Sequence, residues 1–260
     1  DFSYCQLPWR DNVELVVSPS RTHRDKLKLE GVEESLTEIV PLSTNLELHE
    51  RARPRRPGSI VYCSSPDRGL HHLLGMFPEI KRRVSWANLR VFYRYQPWHD
   101  HVLTIRPLDG SETRRRADFI ESMFNTLGRS GENGVTLVGE VGAKRMAEEL
   151  GQARVFAYPA DVMRFTEGFG TSVLEACAAG ASPVVSGVDA FPEIYGGAAH
   201  VIGGDVTSKW DEWVETICLA LTDEVFSAEL RVPARALARR HSRQLVAGRW
   251  EELLLEKVRR

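Results

Sequence analysis

The sequence predicts an α/β domain built on a parallel β-sheet with helices on both faces. From residue 60 onward, short runs of Val, Ile, Leu, Phe and Tyr alternate with helical segments of about ten residues. Each run is continuously apolar, as expected for strands that are buried on both faces. Turn residues separate the runs from the helices, and this alternation is typical of a doubly wound, Rossmann-like sheet.

The predicted strands and helices extend through most of the chain. A first βα unit has a strand from Val13 to Val17 and a helix that ends at or just before Gly31, and residues 38–41 add a short strand. The main domain has strands SIVYCSS, NLRVFYRY, GVTLVGEV, RVFAYP, SPVVSG and AAHVIG, and helices GLHHLLGMFPEIKRRV, 116–130, GAKRMAEELGQA and TSVLEACAAG. The tail is helical by its apolar period, and three tryptophans are predicted core anchors there: Trp210, Trp213 and Trp250.

Composition shifts divide the chain into three predicted segments. Residues 1–57 hold the first βα unit and a linker, residues 58–240 form the Rossmann-like domain, and residues 241–260 form a final helix. The stretch RARPRRPGS (51–59) is polar, rich in proline and strongly basic, so we expect an exposed, solvated linker rather than a phosphate grip. Because the chain starts at Asp1 and not at Met, we also expect a piece of a longer protein.

Charge and composition exclude several classes of protein. Hydrophobic residues make up 42% of the chain and charged residues 27%, which indicates a globular protein and not a disordered one. The net charge of -2 gives no general attraction to nucleic acid, and the arginine clusters lack interleaved aromatic residues. We therefore expect no nucleic-acid partner.

Cysteine usage and hydropathy predict a cytoplasmic protein. The four cysteines are scattered without a CxxC pair, which argues against a disulfide framework and against a zinc site. No run of about 18 apolar residues and no leader sequence is present, so neither a membrane span nor a signal peptide is predicted. The RRR run at 114–116 follows a turn and is expected to be solvated, with a phosphate or peripheral membrane contact as the alternative.

Two histidine clusters are candidate functional groups, the first for a metal and the second for a phosphate. WHDH places His99, Asp100 and His101 close together, but no third well-placed ligand accompanies the two histidines, so no metal is predicted. His71 and His72 lie on a predicted helix and are expected to be half exposed there, although one of them could approach a phosphate.

The stretch EGFGTSVLEACAAG, residues 167–180, carries the candidate chemistry. It connects a predicted strand to a helix, the position at which doubly wound sheets bind ligands. Gly168 and Gly170 allow a close approach of the backbone, and the first helical turn offers free N–H groups to a phosphate. Thr171 and Ser172 are candidate N-caps, which leaves Glu175 without a role in folding.

Two carboxylates on either side of a phosphate site fit a nucleotide sugar. Glu167 precedes the glycine turn and could accept hydrogen bonds from the hydroxyls of a sugar. Glu175 lies one turn into the helix and could accept both hydroxyls of a ribose. Hydrogen bonds to charged acceptors contribute about 1.5 to 3 kcal/mol each, enough for selectivity.

The motif resembles the signature of retaining glycosyltransferases of the GT-B fold, family 4 in particular. The similarity rests on the E-x7-E arrangement and the following SPVVSGVDAFPEI, and it extends from about residue 12 to the end of the chain. It implies that Glu167 holds the transferred sugar, that Glu175 holds the ribose, and that the backbone of Gly168, Phe169, Gly170, Thr171 and Ser172 faces the sugar and the distal phosphate. It also implies that residues 1–57 hold the last βα unit of a mostly absent acceptor-binding domain, toward which residues 241–260 cross back.

Two further segments match the same family pattern. SIVYCSSPDRGLHHLL resembles the first strand, loop and helix of the nucleotide-sugar domain, where a basic residue before a glycine neutralises the diphosphate; Arg68 takes that place, with Ser65 in the same loop. GVTLVGEVGAKRMAEEL resembles the segment beside the nucleobase, which implies contacts from Gly139 to Val141. A second basic residue common in the family is replaced by Cys63, and Arg164, in an unusually long loop, is the candidate substitute.

The resemblance implies transfer of a sugar, with retention, from a nucleotide-diphospho-sugar. A UDP-sugar is favoured, no other cofactor is required, and the leaving diphosphate helps to deprotonate the acceptor, so no protein nucleophile is needed. The acceptor, whether glycan, lipid or protein, is not indicated. The alternatives are a non-catalytic nucleotide-sugar module and a related GT-B sugar epimerase; a phosphorylase would need a pyridoxal-type lysine site, for which no motif is found.

Overall fold

The computed structural model describes residues 12–51, 53–105, 111–161 and 164–258. Six parallel strands form the main sheet, and helices cover both of its faces. In sheet order these strands are β5 (Val135–Leu137), β4 (Asn88–Val91), β3 (Ser59–Tyr62), β6 (Val155–Tyr158), β7 (Ser182–Ser186) and β8 (His200–Ile202). The Rossmann-like fold class predicted from the sequence is confirmed.

A separate two-stranded parallel sheet lies near the start of the chain. It pairs β1 (Val16–Ser18) with β2 (Thr37–Ile39), and the helix α1 (Arg21–Leu29) connects the two strands. The Ser20 hydroxyl caps α1 by accepting a hydrogen bond from the N–H of His23. The predicted first βα unit is therefore present, with its strand starting later than expected.

Eleven α-helices lie within the described residues. After α1 they are α2 (Leu46–His49), α3 (Leu70–Arg83), α4 (Tyr95–Ile105), α5 (Glu112–Leu127), α6 (Ala143–Gln152), α7 (Thr171–Ala179), α8 (Phe191–Tyr195), α9 (Trp210–Thr222), α10 (Glu224–Arg240) and α11 (Arg243–Val258). The sequence analysis did not predict α2, α4 or α8. Two of these are too short for a helical period to show, and α4 begins within a segment that had been assigned to a strand. None of the helices within the described ranges is both long enough and apolar enough to cross a membrane.

The central strands are buried on both faces, as their continuous apolar runs require. Every residue of β3, β6 and β7 is buried. Trp213 is fully buried, and Trp210 packs against the same core while remaining partly exposed. The prediction for Trp250 is wrong: its side chain is 39% exposed on α11, because the helix turns Val246 and Leu253 inward instead.

The last helix packs against the small N-terminal sheet. Val246 and Leu253 of α11 form a cluster with Val40, and the partly buried Leu15 and Val17 pack against it. The predicted division at residues 57 and 240 stays a prediction, and residues 1–11, including Cys5, lie outside the described part of the chain.

The basic stretch at 51–59 is not a freely solvated linker, contrary to the sequence expectation. The Arg55 guanidinium donates to the carbonyl of Ala153 at 3.0 Å, and Arg56 pairs with Glu149 at 2.7 Å. Arg90 of β4 donates to the same Glu149 carboxylate. Arg55 and Arg56 therefore attach this segment to the C-terminal end of α6.

Gly69 is the point at which the loop after β3 touches the loop after β6. Its φ is +112°, and a Cβ there would lie 1.9 Å from the carbonyl oxygen of Pro159. Because both the backbone conformation and the contact exclude a side chain, the two loops meet only when this residue is glycine.

We expect Gly69→Ala to lower the free energy of unfolding by about 2 kcal/mol or more, since the left-handed conformation and the clash with backbone both penalise Ala. Urea unfolding of the two proteins measures this. Gly142→Ala is the matched control, because a Cβ at Gly142 meets nothing within 4 Å and its φ is -68°. Equal losses in the two variants would contradict the tight contact.

Candidate functional site

The candidate site lies at the carboxyl edge of the main sheet, between the loops that follow β3 and β6. These two strands are neighbours in the sheet although α3, β4, α4, α5, β5 and α6 separate them along the chain. Arg68 ends a 3₁₀ turn after β3, and Glu167 precedes the N-terminus of α7. The sheet order therefore brings together the two residues that the sequence singled out as catalytic.

Hydrogen bonds fix both the side chain and the backbone of Glu167. Its side chain is 4% exposed, and its Oε1 accepts hydrogen bonds from Arg68 Nη1 at 3.0 Å and from the Tyr158 hydroxyl at 2.7 Å. The backbone N–H groups of Thr166 and Glu167 both donate to Asp189 Oδ2 at 3.0 Å. Among the described residues, no group donates to Glu167 Oε2, so one oxygen of a fixed carboxylate is left to accept a ligand hydroxyl.

Tyr158 is a functional candidate that the sequence analysis missed. Its hydroxyl also lies 2.7 Å from Ser64 Oγ. Burial and the charge of Glu167 raise the pKa of Tyr158 well above its usual value, so the phenol is protonated and can donate to the carboxylate. The sequence showed only a tyrosine at the end of a predicted buried strand, and a phenylalanine there would have matched the apolar pattern of the strand equally well.

The N-terminus of α7 is built differently from the sequence expectation. Gly170 is the N-cap, with φ +82°, and no side chain caps the helix; the proposed capping by Thr171 or Ser172 is wrong. A Cβ on Gly170 would lie 2.4 Å from Phe191, so glycine is required. Within the described residues, the N–H groups of Thr171 and Ser172 have no hydrogen-bond acceptor. Free donors at a helix N-terminus suit an anion.

Residues 168 and 169 show which groups of the motif can face a ligand. The Phe169 side chain is buried and packs edge-on against Tyr195 and His241, so only its backbone is available to a ligand. The carbonyl of Gly168 accepts a hydrogen bond from Ser20 Oγ at 2.7 Å. The N-terminal βα unit thus contacts the candidate motif directly.

Ser65 and Arg164 occupy the two loops on either side of the Arg68–Glu167 pair. The Ser65 hydroxyl donates to the Asp67 carboxylate, and the Ser65 carbonyl accepts from the N–H of Arg68 at 3.0 Å. Arg164 is exposed on the loop that leads to Glu167. Their assignment to a ligand stays a prediction.

Among the described residues, Glu175 makes no hydrogen bond or ion pair with Glu167 or Arg68. Its side chain is 35% exposed, and its Oε1 lies 3.9 Å from Nε2 of His49. Burial raises the pKa of Glu175, and Arg243 of α11 opposes this. Burial and the charge of Glu175 also raise the pKa of the Cys63 thiol, which keeps it neutral. Cys63 therefore cannot supply the positive charge of the basic residue that is common at this position in the family, and Arg164 stays the predicted substitute.

The predicted nucleobase contacts, Gly139 and Val141, line a separate cleft of about 340 Å³. Gly139 and Val141 follow β5 there, opposite Phe92 and Arg94, which follow β4. Arg94 pairs with Glu140 across the exposed rim at 3.2 Å. The cleft lies at the same edge of the sheet as Arg68.

Two histidines expected to be half exposed are instead mostly buried beside the Arg68 loop. His72 Nε2 lies 2.9 Å from Asp161 Oδ2, and His71 Nε2 lies 3.8 Å from it. These three groups lie within 4.8 Å of one another, a spacing that could hold a metal ion. However, Arg116 Nη2 donates to the same oxygen at 2.9 Å, so the carboxylate is already paired with a cation. Contacts from His71 and His72, together with Arg116, hold the pKa of Asp161 well below its usual range.

The WHDH residues lie on α4, where His99 Nδ1 is 3.9 Å from Asp100 Oδ1. The His99 ring is buried and stacks on Tyr95 with ring centroids 5.6 Å apart. Asp100 and His101 are exposed.

Residues 125–240 match the family model described as glycosyl transferases group 1. The matched segment contains Glu167, Glu175 and the predicted nucleobase segment. The resemblance to the GT-B glycosyltransferases is thereby confirmed. No sequence among curated proteins matches the chain significantly.

Solved glycosyltransferase structures share the fold of nearly the whole chain. A sucrose-phosphate synthase from Thermosynechococcus elongatus has a TM-score of 0.72 and 16% identity, covering 95% of this chain and 59% of that one. HepE from Anabaena, in complex with UDP and glucose, has a TM-score of 0.71 and 15% identity, covering 94% and 63%. The pneumococcal O-GlcNAc transferase GtfA, in complex with UDP and GlcNAc, has a TM-score of 0.65 and 13% identity, covering 95% and 46%. This chain therefore spans between 46% and 63% of the length of these proteins, and at such identities the likeness shows the fold.

His49 provides a test of the environment around Glu175. Burial, with the charges of Arg53 and Arg243, lowers the pKa of His49 to about 4, so the imidazole is neutral near pH 7 although Glu175 is 3.9 Å away. Between about pH 4 and pH 6.5 the unfolded chain, with a histidine pKa of about 6.5, binds a proton at His49 that the folded chain does not bind. Stability contributed by neutral His49 is therefore lost as the pH falls from about 6.5 to about 4.

We expect the free energy of unfolding of the natural protein to fall by about 1 to 2 kcal/mol more than that of His49→Gln between pH 7 and pH 5. Urea unfolding at a series of pH values measures the difference. His101→Gln, at an exposed position, should retain the pH dependence of the natural protein. Parallel pH profiles for the natural protein and His49→Gln would show that His49 does not titrate in this way.

Proposed function

We propose that this chain is the donor-binding part of a glycosyltransferase that transfers a sugar, with retention, from a nucleotide-diphospho-sugar. The observation that carries the proposal is the ion pair of the half-exposed Arg68 with the buried Glu167, beside the uncapped N-terminus of α7. It places a cation, free N–H donors and a fixed carboxylate next to one another. That combination recognises a phosphate joined to a polyhydroxylated group.

The diphosphate would bind between Arg68 and the first turn of α7. The N–H groups of Thr171 and Ser172 and the helix dipole favour negative charge there, by about 0.3 to 1 kcal/mol when exposed and about 2 kcal/mol when partly buried. In the folded chain the Arg68 guanidinium is 37% exposed, so a ligand can reach it without breaking the bond to Glu167.

Glu167 would orient the transferred sugar through its remaining oxygen. Arg68 and Tyr158 fix the carboxylate, which limits the conformational entropy lost when a sugar hydroxyl binds to it. Glu175 would accept the ribose hydroxyls, and the cleft at Gly139 and Val141 would take the base. Arg164 and Ser65 complete the proposed donor contacts.

The reaction would need no protein nucleophile. The bond between the anomeric carbon and the diphosphate oxygen breaks while the acceptor oxygen bonds to the same face, and the acceptor proton passes to the leaving diphosphate. Arg68 and α7 stabilise the negative charge that develops on the diphosphate. The acceptor would be held by parts of the protein beyond this domain.

UDP is the proposed nucleotide. Two of the structures with the same fold contain it, HepE with UDP and glucose and GtfA with UDP and GlcNAc. A further structure of HepE contains UDP-glucose itself. The sugar carried by the donor of this chain is left open.

We expect Glu167→Gln to reduce sugar transfer by about a hundredfold or more while the dissociation constant of UDP changes only a few fold. The amide keeps the size of the side chain but cannot accept from a sugar hydroxyl and from Arg68 with the strength of a carboxylate. Arg68→Gln should weaken both transfer and UDP binding, because its charge acts on the diphosphate. Initial rates and calorimetric titration of the complete protein give the two quantities.

Exposed residues on other helices provide matched controls for these variants. Asp211→Asn on α9 makes the same change of carboxylate to amide, and Arg82→Gln on α3 makes the same change of arginine. Both should leave transfer and UDP binding unchanged. Wild-type transfer by Glu167→Gln would overturn the assignment of Glu167.

We also expect UDP to stabilise the protein more than GDP or ADP does. A ligand present at a hundred times its dissociation constant raises the free energy of unfolding by about 2.7 kcal/mol. Thermal unfolding with each nucleotide and with its common sugar derivatives measures the effect, and Arg68→Gln should reduce the shift. An unchanged unfolding temperature with every nucleotide would contradict the proposal as a whole.

A further inference from the structure

Arg116 is a buried arginine in a run that the sequence predicted to be solvated. Of its two neighbours, Arg115 is 65% exposed and fits that prediction, whereas Arg114 is partly buried; they pair with Glu112 and Asp118 on their own helix. Arg116 points the other way and is only 5% exposed. The sequence prediction for residue 116 is therefore wrong, because α5 turns one of three adjacent arginines toward the protein interior.

The Arg116 guanidinium joins two separate loops. Its Nη1 donates to the carbonyl of Asp67 at 2.7 Å and to the carbonyl of Asp161 at 2.5 Å. Its Nη2 donates to the Asp161 carboxylate at 2.9 Å, and its Nε donates to Glu112 Oε1 at 2.9 Å. Four of its five N–H groups thus have acceptors, which is the condition for burying a guanidinium.

The two loops that Arg116 joins are the loops that carry the candidate catalytic residues. Asp67 immediately precedes Arg68 in the turn after β3. Asp161 opens the loop after β6 that leads to Glu167. Arg116 itself touches neither Arg68 nor Glu167, so it can act on them only through the backbone of these loops.

The charges around Arg116 favour a fixed arrangement. Asp161 and Glu112 both pair with the guanidinium, and His72 Nε2 lies 2.9 Å from the same Asp161 oxygen. His71 and His72 belong to α3, which starts directly after the Arg68 turn. Removal of Arg116 would leave the carbonyl oxygens of Asp67 and Asp161 without this donor, and it would leave the Asp161 carboxylate with its histidine contacts alone. Both loops would then lose the group that joins them.

We propose that Arg116 is a positioning residue that holds the Arg68 loop and the Glu167 loop in a fixed relative position. Arg68 can then bind the diphosphate while Glu167 binds the sugar of the same donor. The inference rests on the proposed function for its kinetic consequence, but the coupling of the two loops is a property of the protein without any donor. Lysine cannot replace arginine here, because one ammonium group cannot donate to two carbonyls and a carboxylate in the plane of a guanidinium.

The experiment compares Arg116→Ala and Arg116→Lys with the natural protein and with Arg115→Ala. Arg115 is the matched control, because it is the adjacent arginine on α5 and its guanidinium is exposed. Amide hydrogen exchange is measured for peptides that cover residues 64–69 and 159–168. Values of kcat and KM for donor are measured in the complete protein, with and without about 50 mM guanidinium chloride, and with sodium chloride at equal ionic strength.

We expect both loop peptides to exchange faster in the two Arg116 variants, and kcat to fall by about tenfold to a hundredfold with a smaller change in KM. Added guanidinium should restore much of kcat to Arg116→Ala but not to Arg116→Lys, where the ammonium occupies the space. A role confined to global stability would not give this result, since guanidinium is itself a denaturant. Arg115→Ala should resemble the natural protein throughout.

Unchanged exchange in both loops of Arg116→Ala and Arg116→Lys would overturn the proposal, as would natural kcat values in Arg116→Lys. If Arg116→Ala does not fold, the exchange and kcat of Arg116→Lys decide the outcome alone. Faster exchange of both loops in a protein that transfers no sugar from any donor would support the coupling and contradict the proposed function instead. The two failures are therefore distinguishable.

Discussion

The ion pair between Arg68 and the buried Glu167 is the interaction on which the rest of the candidate site depends. A carboxylate that is 4% exposed carries a desolvation cost of several kcal/mol unless it is paired and hydrogen-bonded. Arg68 and Tyr158 supply the compensation, and Asp189 holds the adjacent backbone through two N–H groups. The pair can form only if the loops after β3 and β6 lie against each other, so both loops must be positioned for this ion pair.

The sheet supplies that arrangement. Because parallel strands place their carboxyl ends at one edge, the β3 and β6 loops meet even though two strands and four helices intervene along the chain. Glycine at position 69 then permits a backbone contact with Pro159 that no side chain could share. Arg116 and the α3 histidines add polar contacts on the outer side of the same junction. Packing, backbone conformation and charge thus converge on one small region.

The N-terminal βα unit also contributes to this edge. Ser20 donates to the carbonyl of Gly168, and Glu193 of α8 accepts hydrogen bonds from the backbone N–H groups of Arg21 and Thr22 at the start of α1. His23 stacks on Phe165 with ring centroids 5.5 Å apart. The candidate motif is therefore enclosed from two sides, by its own sheet and by the small sheet on which α11 packs. The N-terminal unit is thus in direct contact with the candidate site.

The sequence by itself determined the fold class and the order of the strands along the chain, and it pointed to Arg68 and Glu167, whose side chains meet in the structure. Apolar runs of strand length and a glycine-flanked E-x7-E motif each involve residues that are close together along the chain, so they can be recognised from the sequence without a structure. Only the tertiary structure decided how charged residues are used. Arg116 and Arg115 are adjacent and chemically identical, yet one is buried and one is exposed. Glu175 lies 3.9 Å from His49, which belongs to a helix that was not predicted. The physical reason is that the partner of a buried charge comes from a distant segment, and its position is fixed only when the sheet assembles.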